Sequence, residues 1–172
     1  MNAVTQGPTT VILARNRMGQ TIDATSKLNM ESRMTAFQTQ CREAGLRLTP
    51  QRTAIYKTLL ESYEHPSAEM VFRQVRRVLP SVSLDTVNRT LLTLSDIGVA
   101  FIVEGTGDAK RFDANLAGHQ HFKCVKCKRI IDFHHEPYDE LPSPKNLPST
   151  FTVLRTTVYV EGICDRCREN DD

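Results

Sequence analysis

Four of the five cysteines are arranged for metal binding. They form two CxxC pairs, Cys124 with Cys127 and Cys164 with Cys167. A CxxC turn directs two sulfurs to one point, and two such turns complete a tetrahedron around zinc. Because a four-thiolate site leaves no open coordination position, the predicted zinc is structural and not catalytic. Two disulfides or four unrelated thiols are the alternative, which a cytosolic chain disfavours.

A second set of candidate ligands lies just before the first CxxC pair. His119 and His121 are separated by one residue, Gln120, and on a strand both imidazoles would lie on one face, since side chains alternate. Asp113, Asp132 and His65 extend the set to three nitrogens and two oxygens. This mixture suits iron(II), manganese(II) or zinc better than copper(I). Solvated histidines and turn-forming aspartates are the alternative that the residues alone leave open.

The N-terminal half predicts helices that would position these ligands. A short helix over 32–45 ends at Gly45, and a second begins at Thr49-Pro50, with Thr as N-cap and Pro as first helical residue. Ser67 caps a third helix to about Leu79, with Met70, Val71, Val75 and Val78 facing inward. Ser83 caps a fourth, from Leu84 to about Ile97. Three short helices joined by brief turns indicate a helix-turn-helix.

The remaining sequence predicts β-structure. Two short strands, Ala100–Val103 and Lys110–Phe112, flank a turn-rich segment and would form a wing. Three further strands and one short helix are predicted at His121–Cys124, Arg129–Phe133, Thr152–Val160 and around Tyr138–Leu141.

Composition limits the class of protein. The 172 residues are 40% hydrophobic, which supports a folded core, and the net charge of +2 permits DNA binding only where basic residues are localised. No apolar stretch approaches the roughly 20 residues that span a bilayer, and the N-terminus lacks a signal-peptide pattern. We expect a soluble cytoplasmic protein whose polar residues 1–31 form a disordered extension.

From about Leu46 to Cys167 the sequence resembles the ferric uptake regulator family, and within it the peroxide-sensing branch. The resemblance is carried by LTPQR at 48–52, HPSA at 65–68, SLDTV at 83–87, RFD at 111–113, HQHFKCVKC at 119–127, RIIDF at 129–133 and GICDRC at 162–167.

This resemblance implies an α+β architecture. A winged helix-turn-helix DNA-binding domain would occupy 32–113, a hinge 114–118, and a C-terminal α/β dimerisation domain with the four-cysteine zinc site 119–172. The regulatory site of the peroxide-sensing branch would fall on His65, Asp113, His119, His121 and Asp132. Iron-sensing members often have Glu where Asp132 stands, which favours peroxide sensing.

The implied function is that of a dimeric, metal-dependent transcriptional repressor and not an enzyme. It would sense hydrogen peroxide through iron-catalysed oxidation of a His ligand, with structural Zn²⁺ and regulatory Fe²⁺ or Mn²⁺. The alternative is a repressor that follows iron or manganese level without peroxide sensing. A metal-dependent hydrolase and a zinc-ribbon module are two other classes; the sequence has no HExxH motif, and a ribbon would not need the helical half.

A palindromic double-stranded operator is the implied partner, together with a second copy of the chain. The family's recognition helix usually has Tyr where this chain has Asn88, and Asn can form paired hydrogen bonds with adenine. The predicted DNA-binding residues are Arg52, Ser83, Asp85, Thr86, Asn88 and Arg89.

Overall fold

The structure is a computed structural model. It describes residues 14–15, 21–22, 24–62, 64–103, 109–139, 141–142, 144–153 and 156–169. The chain divides into two compact units, with the boundary between Leu48 and Thr49. Within the described ranges, no helix has the length and apolar character that crossing a membrane requires.

The first unit contains a long helix. Strands β1 (Ala14–Arg15) and β2 (Thr21–Ile22) pair antiparallel, and helix α1 runs from Ala24 to Glu43. The helix begins well before the predicted residue 32, so residues 24–31 are helical and not part of a disordered extension. Ala, Lys, Leu, Met and Glu all occur in this stretch and favour a helix even without an apolar period. The remainder of the predicted extension lies outside the described residues, apart from β1 and β2.

Glycines end two of the helices in the same manner. Gly45 follows α1 with a φ of +68°, and Gly98 follows α4 (Leu84–Asp96) with a φ of +75°. The amide of Gly45 donates to the Arg42 carbonyl, and the next amide reaches back to Cys41. This pair of bonds is a Schellman cap. It requires the left-handed backbone at the glycine, a conformation that glycine adopts without strain.

Three capped helices begin the second unit: α2 (Pro50–Leu60), α3 (Ala68–Val75) and α4. The side-chain oxygens of Thr49, Ser67 and Ser83 each accept the backbone amide three residues ahead, at 3.1–3.3 Å. All three predicted N-caps are therefore present, and each satisfies an amide that the helix itself leaves unpaired.

Helix α3 ends earlier than predicted, at Val75. Its last turn tightens, because the amide of Val78 donates to the Val75 carbonyl three residues back. This change of period turns Val78 away from the buried face that carries Val71 and Val75. The predicted inward orientation of Val78 is wrong, and its exposed fraction is 69%.

The helices and the wing share one core. Val87, Leu91 and Leu94 lie on one face of α4 at helical spacing and are fully buried. Strands β3 (Phe101–Val103) and β4 (Arg111–Asp113) pair antiparallel and contribute Val103 and Phe112 to the same core. The arrangement is a winged helix-turn-helix; the tip of the wing, 104–108, lies outside the described residues.

A three-stranded sheet forms the C-terminal part, in the order β6-β5-β7. The central strand β5 (Gln120–Cys124) pairs antiparallel with β6 (Ile130–Phe133) and parallel with β7 (Tyr159–Gly162). Two short helices, α5 (Glu136–Asp139) and α6 (Asp165–Glu169), complete it. The predicted strand Thr152–Val160 is too long at its start: among its described residues only Tyr159 and Val160 belong to β7, where they pair with β5.

Candidate metal centres

Five side chains from four separate segments meet at one point. Each offers one ligand atom, and these atoms all lie within 4.8 Å of one another. They come from the α2–α3 loop (His65), the end of β4 (Asp113), the start of the C-terminal sheet (His119 and His121) and β6 (Asp132). The structure thus brings together all five residues that the sequence suggested as a mixed nitrogen–oxygen set.

Strand geometry aligns the ligands of the sheet. His119 lies just before β5 and His121 within it, and extended backbone places both side chains on the same face. Their Nε2 atoms are 3.0 Å apart. Asp132 lies directly opposite His121 in the β5–β6 ladder, with its Oδ1 3.6 Å from Nε2. The pairing register therefore delivers a carboxylate to the histidine face.

Asp113 is oriented by its own loop. Its Oδ1 accepts the amide of Asn115 at 2.6 Å, which leaves Oδ2 facing the cluster, 3.0 Å from His119 Nε2 and 3.2 Å from His65 Nε2. Burial favours the neutral acid, but contacts with His121 and His65 and the amide bond together hold the pKa of Asp113 well below its usual range. A buried carboxylate that stays ionised is a ready ligand for a cation.

The tautomer of His119 is fixed by a backbone carbonyl. Its Nδ1 donates to the carbonyl oxygen of Ala117 at 2.7 Å. Since a neutral imidazole carries one proton, Nε2 then presents a lone pair to the cluster. A second hydrogen bond of this kind is the usual partner of a metal-ligating histidine, because it orients the ring and raises its basicity.

His65 faces two carboxylates without forming a proper hydrogen bond to either. Its Nε2 is 2.9 Å from Asp132 Oδ1 and 3.2 Å from Asp113 Oδ2, yet neither contact is aligned for donation from the ring. Burial lowers the pKa of His65, but the two carboxylates outweigh it and raise the pKa to about 9. Atoms that approach closely but point past one another are typical of ligands directed at a common centre.

The five donors fit one divalent cation. Bonds of about 2.1 Å separate adjacent octahedral ligands by about 3.0 Å, and the carboxylate–imidazole separations in this site are 2.9–3.7 Å. Three imidazole nitrogens with two carboxylates suit iron(II), manganese(II) or zinc. Five donors leave one of six octahedral positions for an exogenous ligand.

The two CxxC turns form a second cluster. The Sγ atoms of Cys124, Cys127, Cys164 and Cys167 converge, and those of Cys127 and Cys164 are 3.7 Å apart. Zinc–sulfur bonds of about 2.3 Å in a tetrahedron place sulfurs about 3.8 Å from each other. All five cysteines are free thiols in this structure, and the 3.7 Å between Cys127 and Cys164 is much longer than a disulfide bond.

Local hydrogen bonds prepare this cluster for a metal. The amide of Cys164 donates to Cys124 Sγ at 3.4 Å. Together with the amides of Cys127 and Lys126, this bond lowers the pKa of Cys124 to about 6 despite burial. Contacts with Cys127, together with burial, raise the pKa of Cys167 to about 12. Arg129 and Asp165, one beside each CxxC turn, form an ion pair at 2.5 Å that joins the two turns.

The predicted DNA-binding residues mostly lie on the exposed side of α4. Asp85, Asn88 and Arg89 are exposed on one face at i, i+3 and i+4, opposite the buried face. Asp85 pairs with Arg89 at 3.2 Å, and Ser83 Oγ contacts Thr86 Oγ1 at 2.9 Å. The sixth candidate, on α2, is half-buried: Arg52.

Three supporting groups are not recognisable from the sequence as parts of the site. Asn115 and Ala117 orient ligands through backbone groups, which residue types do not reveal. Arg111 binds the carbonyl of His65 at 3.1 Å, and the sequence marks it only as part of the RFD motif. Proximity to Asp113 is the one sequence signal that all three share.

The fold is that of a winged-helix protein, with three capped helices and a wing. It also has an α/β part and two candidate metal centres. The sequence model of the Ferric uptake regulator family matches residues 43–160. The chain therefore belongs to the ferric uptake regulator family.

Individual relatives carry more specific names. The peroxide-responsive repressor PerR of Staphylococcus epidermidis is 34% identical over 128 residues, which span 74% of this chain and 85% of that protein. PerR of Staphylococcus saprophyticus is 31% identical over 131 residues, spanning 76% and 88%. Both relatives carry the name of the branch that the motifs of this chain resemble.

Solved structures show the same fold. The ferric uptake regulator of Helicobacter pylori superposes with a TM-score of 0.66 at 20% identity, covering 83% of this chain and 96% of that one. The peroxide stress regulator of Campylobacter jejuni gives 0.57 at 23% identity, covering 85% and 100%.

Proposed function

We propose that this protein is a metal-dependent transcriptional repressor that senses hydrogen peroxide through iron held by His65, Asp113, His119, His121 and Asp132. The carrying observation is the convergence of these five ligand atoms within 4.8 Å. Relatives named peroxide-responsive repressors support this reading. The CxxC cluster would hold a separate structural zinc.

Metal binding would join two parts of the fold. His65 belongs to the loop between α2 and α3, whereas His119, His121 and Asp132 belong to the C-terminal sheet. A cation bound by both sets stabilises the arrangement in which they are close, and so shifts the population toward it. This arrangement would be the DNA-binding one, which makes repression dependent on the regulatory metal.

The surroundings of the site suit a small oxidant. The three histidine side chains are at most 2% exposed, whereas Asp132 is 35% exposed. A cavity of about 1000 Å³ also borders His119 and His121. When bound, iron(II) would supply the one-electron reduction of hydrogen peroxide, and an imidazole of the site would be the nearest group to oxidise. Loss of that ligand would release metal and DNA.

The recognition surface would be the exposed face of α4. Asn88 and Arg89 are accessible there, and Asn88 also borders a groove between α4 and the wing. An α-helix fits the major groove, where Asn and Arg distinguish bases by paired hydrogen bonds. Arg52 would contribute to phosphate binding.

The open face of the C-terminal sheet supports a homodimer. On the side opposite His119 and His121, the sheet exposes a largely apolar groove. It is lined by Phe122, Ile131, Phe133, Tyr138 and Val160, together with His134 and His135. A second copy of the chain covering this face would bury apolar surface and set two α4 helices for the halves of a palindromic operator.

DNA binding before and after peroxide tests the proposal. Manganese-loaded protein is first used to select a preferred duplex from a randomised library. We expect both iron-loaded and manganese-loaded protein to bind that duplex, and low peroxide to release only the iron-loaded form. Mass spectrometry should then show one added oxygen on a peptide containing His65 or His119, absent with manganese.

Other outcomes distinguish the remaining classes. Binding that follows iron or manganese concentration with no oxidised residue would indicate a metal-level repressor. Oxidation confined to Cys124 or Cys164 would indicate sensing through the thiolates. Turnover of a hydrolysable substrate without metal-dependent duplex binding would indicate an enzyme.

A further inference from the structure

The side chain of Arg111 connects three parts of the second unit. It begins β4, two residues before the ligand Asp113. Its Nη1 donates to the carbonyl oxygen of His65 at 3.1 Å and contacts Met70 Sδ at 3.2 Å. Its Nη2 donates, at a longer 3.4 Å, to the carbonyl of Lys128 in the turn after the first CxxC pair.

Both residues that accept from Arg111 through a carbonyl have an unusual backbone. His65 has a φ of +46° and Lys128 a φ of +61°, and no other non-glycine residue in the described part of the chain has a positive φ. The left-handed region is unfavourable for L-residues other than glycine. Such conformations persist where the surrounding structure holds them, and here one guanidinium binds both carbonyls.

His65 differs from His119 in how it is oriented. The ring of His119 is fixed by its Nδ1–H bond to Ala117. The Nδ1 of His65 is buried and has no hydrogen-bond partner among the described residues. Its ring contacts that of His121 edge-on, with the centroids 4.9 Å apart. In the part of the chain that the structure describes, hydrogen bonds reach His65 and Pro66 only through the backbone: Arg111 donates to the carbonyl of His65, and the Phe112 amide donates to the carbonyl of Pro66 at 3.1 Å.

We propose that Arg111 is a positioning residue of the regulatory site. It holds the left-handed peptide of His65 so that Nε2 faces Asp113 and Asp132, and it ties this loop to the turn of the zinc cluster. The proposal rests on metal binding at the five-residue site. It predicts that Arg111 acts on the regulatory metal through His65 alone.

A double-mutant cycle with His65 tests this role. Manganese(II) affinity is measured by competition with a fluorescent chelator for wild type, Arg111→Ala, His65→Ala and the double variant. Arg111→Ala should bind manganese about tenfold more weakly, the usual effect of losing a group that orders a ligand. In the His65→Ala background the same change should have little further effect, and zinc content should stay at one per chain.

Controls separate this role from general destabilisation. Arg73→Ala removes an exposed arginine from α3, the helix that carries Met70, and should leave manganese affinity unchanged. Arg111→Lys keeps the charge and can reach one carbonyl, so its affinity should be intermediate; this variant also serves if Arg111→Ala folds poorly.

Two results would overturn the proposal. One is unchanged affinity in Arg111→Ala or, where that variant misfolds, in Arg111→Lys. The other is a loss of equal size with and without His65, which shows that Arg111 does not act through this ligand. If wild type itself bound no manganese, the proposed function would fail as well, whereas the first two results overturn only the role of Arg111.

Discussion

His121 and Asp132 face each other directly across the β5–β6 ladder, with Nε2 and Oδ1 3.6 Å apart. The pair differs sharply in exposure, since the His121 side chain is 1% exposed and that of Asp132 is 35%. One ligand is thus part of the interior, and the other lies at its edge. Asp132 can be changed with little effect on packing, which makes it the ligand best suited to mutation.

Asp132→Asn should weaken the regulatory metal without unfolding the protein. The substitution keeps the size of the side chain but removes the charge that faces His65 at 2.9 Å. We expect manganese affinity to fall at least about tenfold, because even the loss of a residue that hydrogen-bonds to a ligand has that effect. Chelator competition measures the affinity, and thermal unfolding checks the fold. Glu136→Gln removes a nearby exposed charge and should behave like wild type; equal affinity in both variants would exclude Asp132 as a ligand.

Metal binding should release protons at neutral pH. The pKa of His65 is raised to about 9 in the metal-free site, so its imidazole is protonated at pH 7, whereas a ligand must be neutral. Apparent manganese affinity should therefore increase from pH 6 to about pH 9. Calorimetry in two buffers of different ionisation enthalpy counts the protons released on binding. Manganese binding to His65→Ala should release fewer protons than binding to wild type. Heats that do not depend on the buffer would contradict the shift.

The raised pKa of His65 gives the stability of the metal-free protein the opposite pH dependence. A raised pKa means that the folded state holds its proton more tightly than the unfolded state. The resulting stabilisation is complete below about pH 6.5, the ordinary value for His, and is lost as pH rises through about 9. As pH rises toward 9, the metal-free protein should therefore lose stability, whereas the metal-loaded protein should hold its metal more tightly.

Cys124→Ser should abolish zinc binding and destabilise the C-terminal part. Cys124 is fully buried and is the last residue of the central strand β5. Its Sγ accepts a hydrogen bond from the amide of Cys164. Loss of one thiolate from a four-thiolate site removes the metal, and with it the free energy of zinc binding that supports folding. Elemental analysis should find one zinc per chain in wild type and in the control Cys41→Ala, and none in Cys124→Ser. Full zinc occupancy in Cys124→Ser would exclude this set of ligands.

Local sequence patterns predict the N-caps of α2, α3 and α4 better than they predict the pairing between distant segments. Thr49, Ser67 and Ser83 act as caps because their side chains bond to amides only three residues away. His119 and His121 share a face through strand alternation, which is equally local. Asp132, in contrast, reaches the site through the β5–β6 register, and no feature of its own segment specifies that register.

The errors have a similar origin. An α-helical period places Val78 on the buried face only if it continues through a turn that in fact tightens after Val75. The β-branched residues of Thr152–Val160 predict a strand, but among the described residues of this range only Tyr159 and Val160, which pair with β5, form one. The left-handed backbone of His65 has no sequence signal either, because no glycine marks it and the atoms that hold it lie on β4.

Lys128→Gly should stabilise the first zinc turn. Lys128 has a φ of +61°, where a non-glycine residue is unfavourable by about 1–2 kcal/mol. Part of this gain is offset by the greater freedom of glycine in the unfolded chain, so we expect about 0.5–1 kcal/mol. Denaturant unfolding of zinc-loaded protein measures it. Lys128→Ala removes the same side chain without relieving the backbone and is the control; equal stability of the two variants would show that φ is not the cause.

Asn88 should read sequence, whereas Arg52 should contact phosphate. Asn88 is exposed on the same face of α4 as the Asp85–Arg89 ion pair, while Arg52 lies on α2 outside the predicted recognition helix. Asn88→Ala should relax preference at one base position and cost about 1–3 kcal/mol on the preferred duplex only. Arg52→Ala should weaken binding to all duplexes and reduce the salt slope by about 1. Selection from a randomised library gives the preference, and titrations at several salt concentrations give the slope. If Asn88→Ala selects the same sequence as wild type, α4 enters the groove in another register, and Arg89 or Ser83 becomes the next candidate for the base contact.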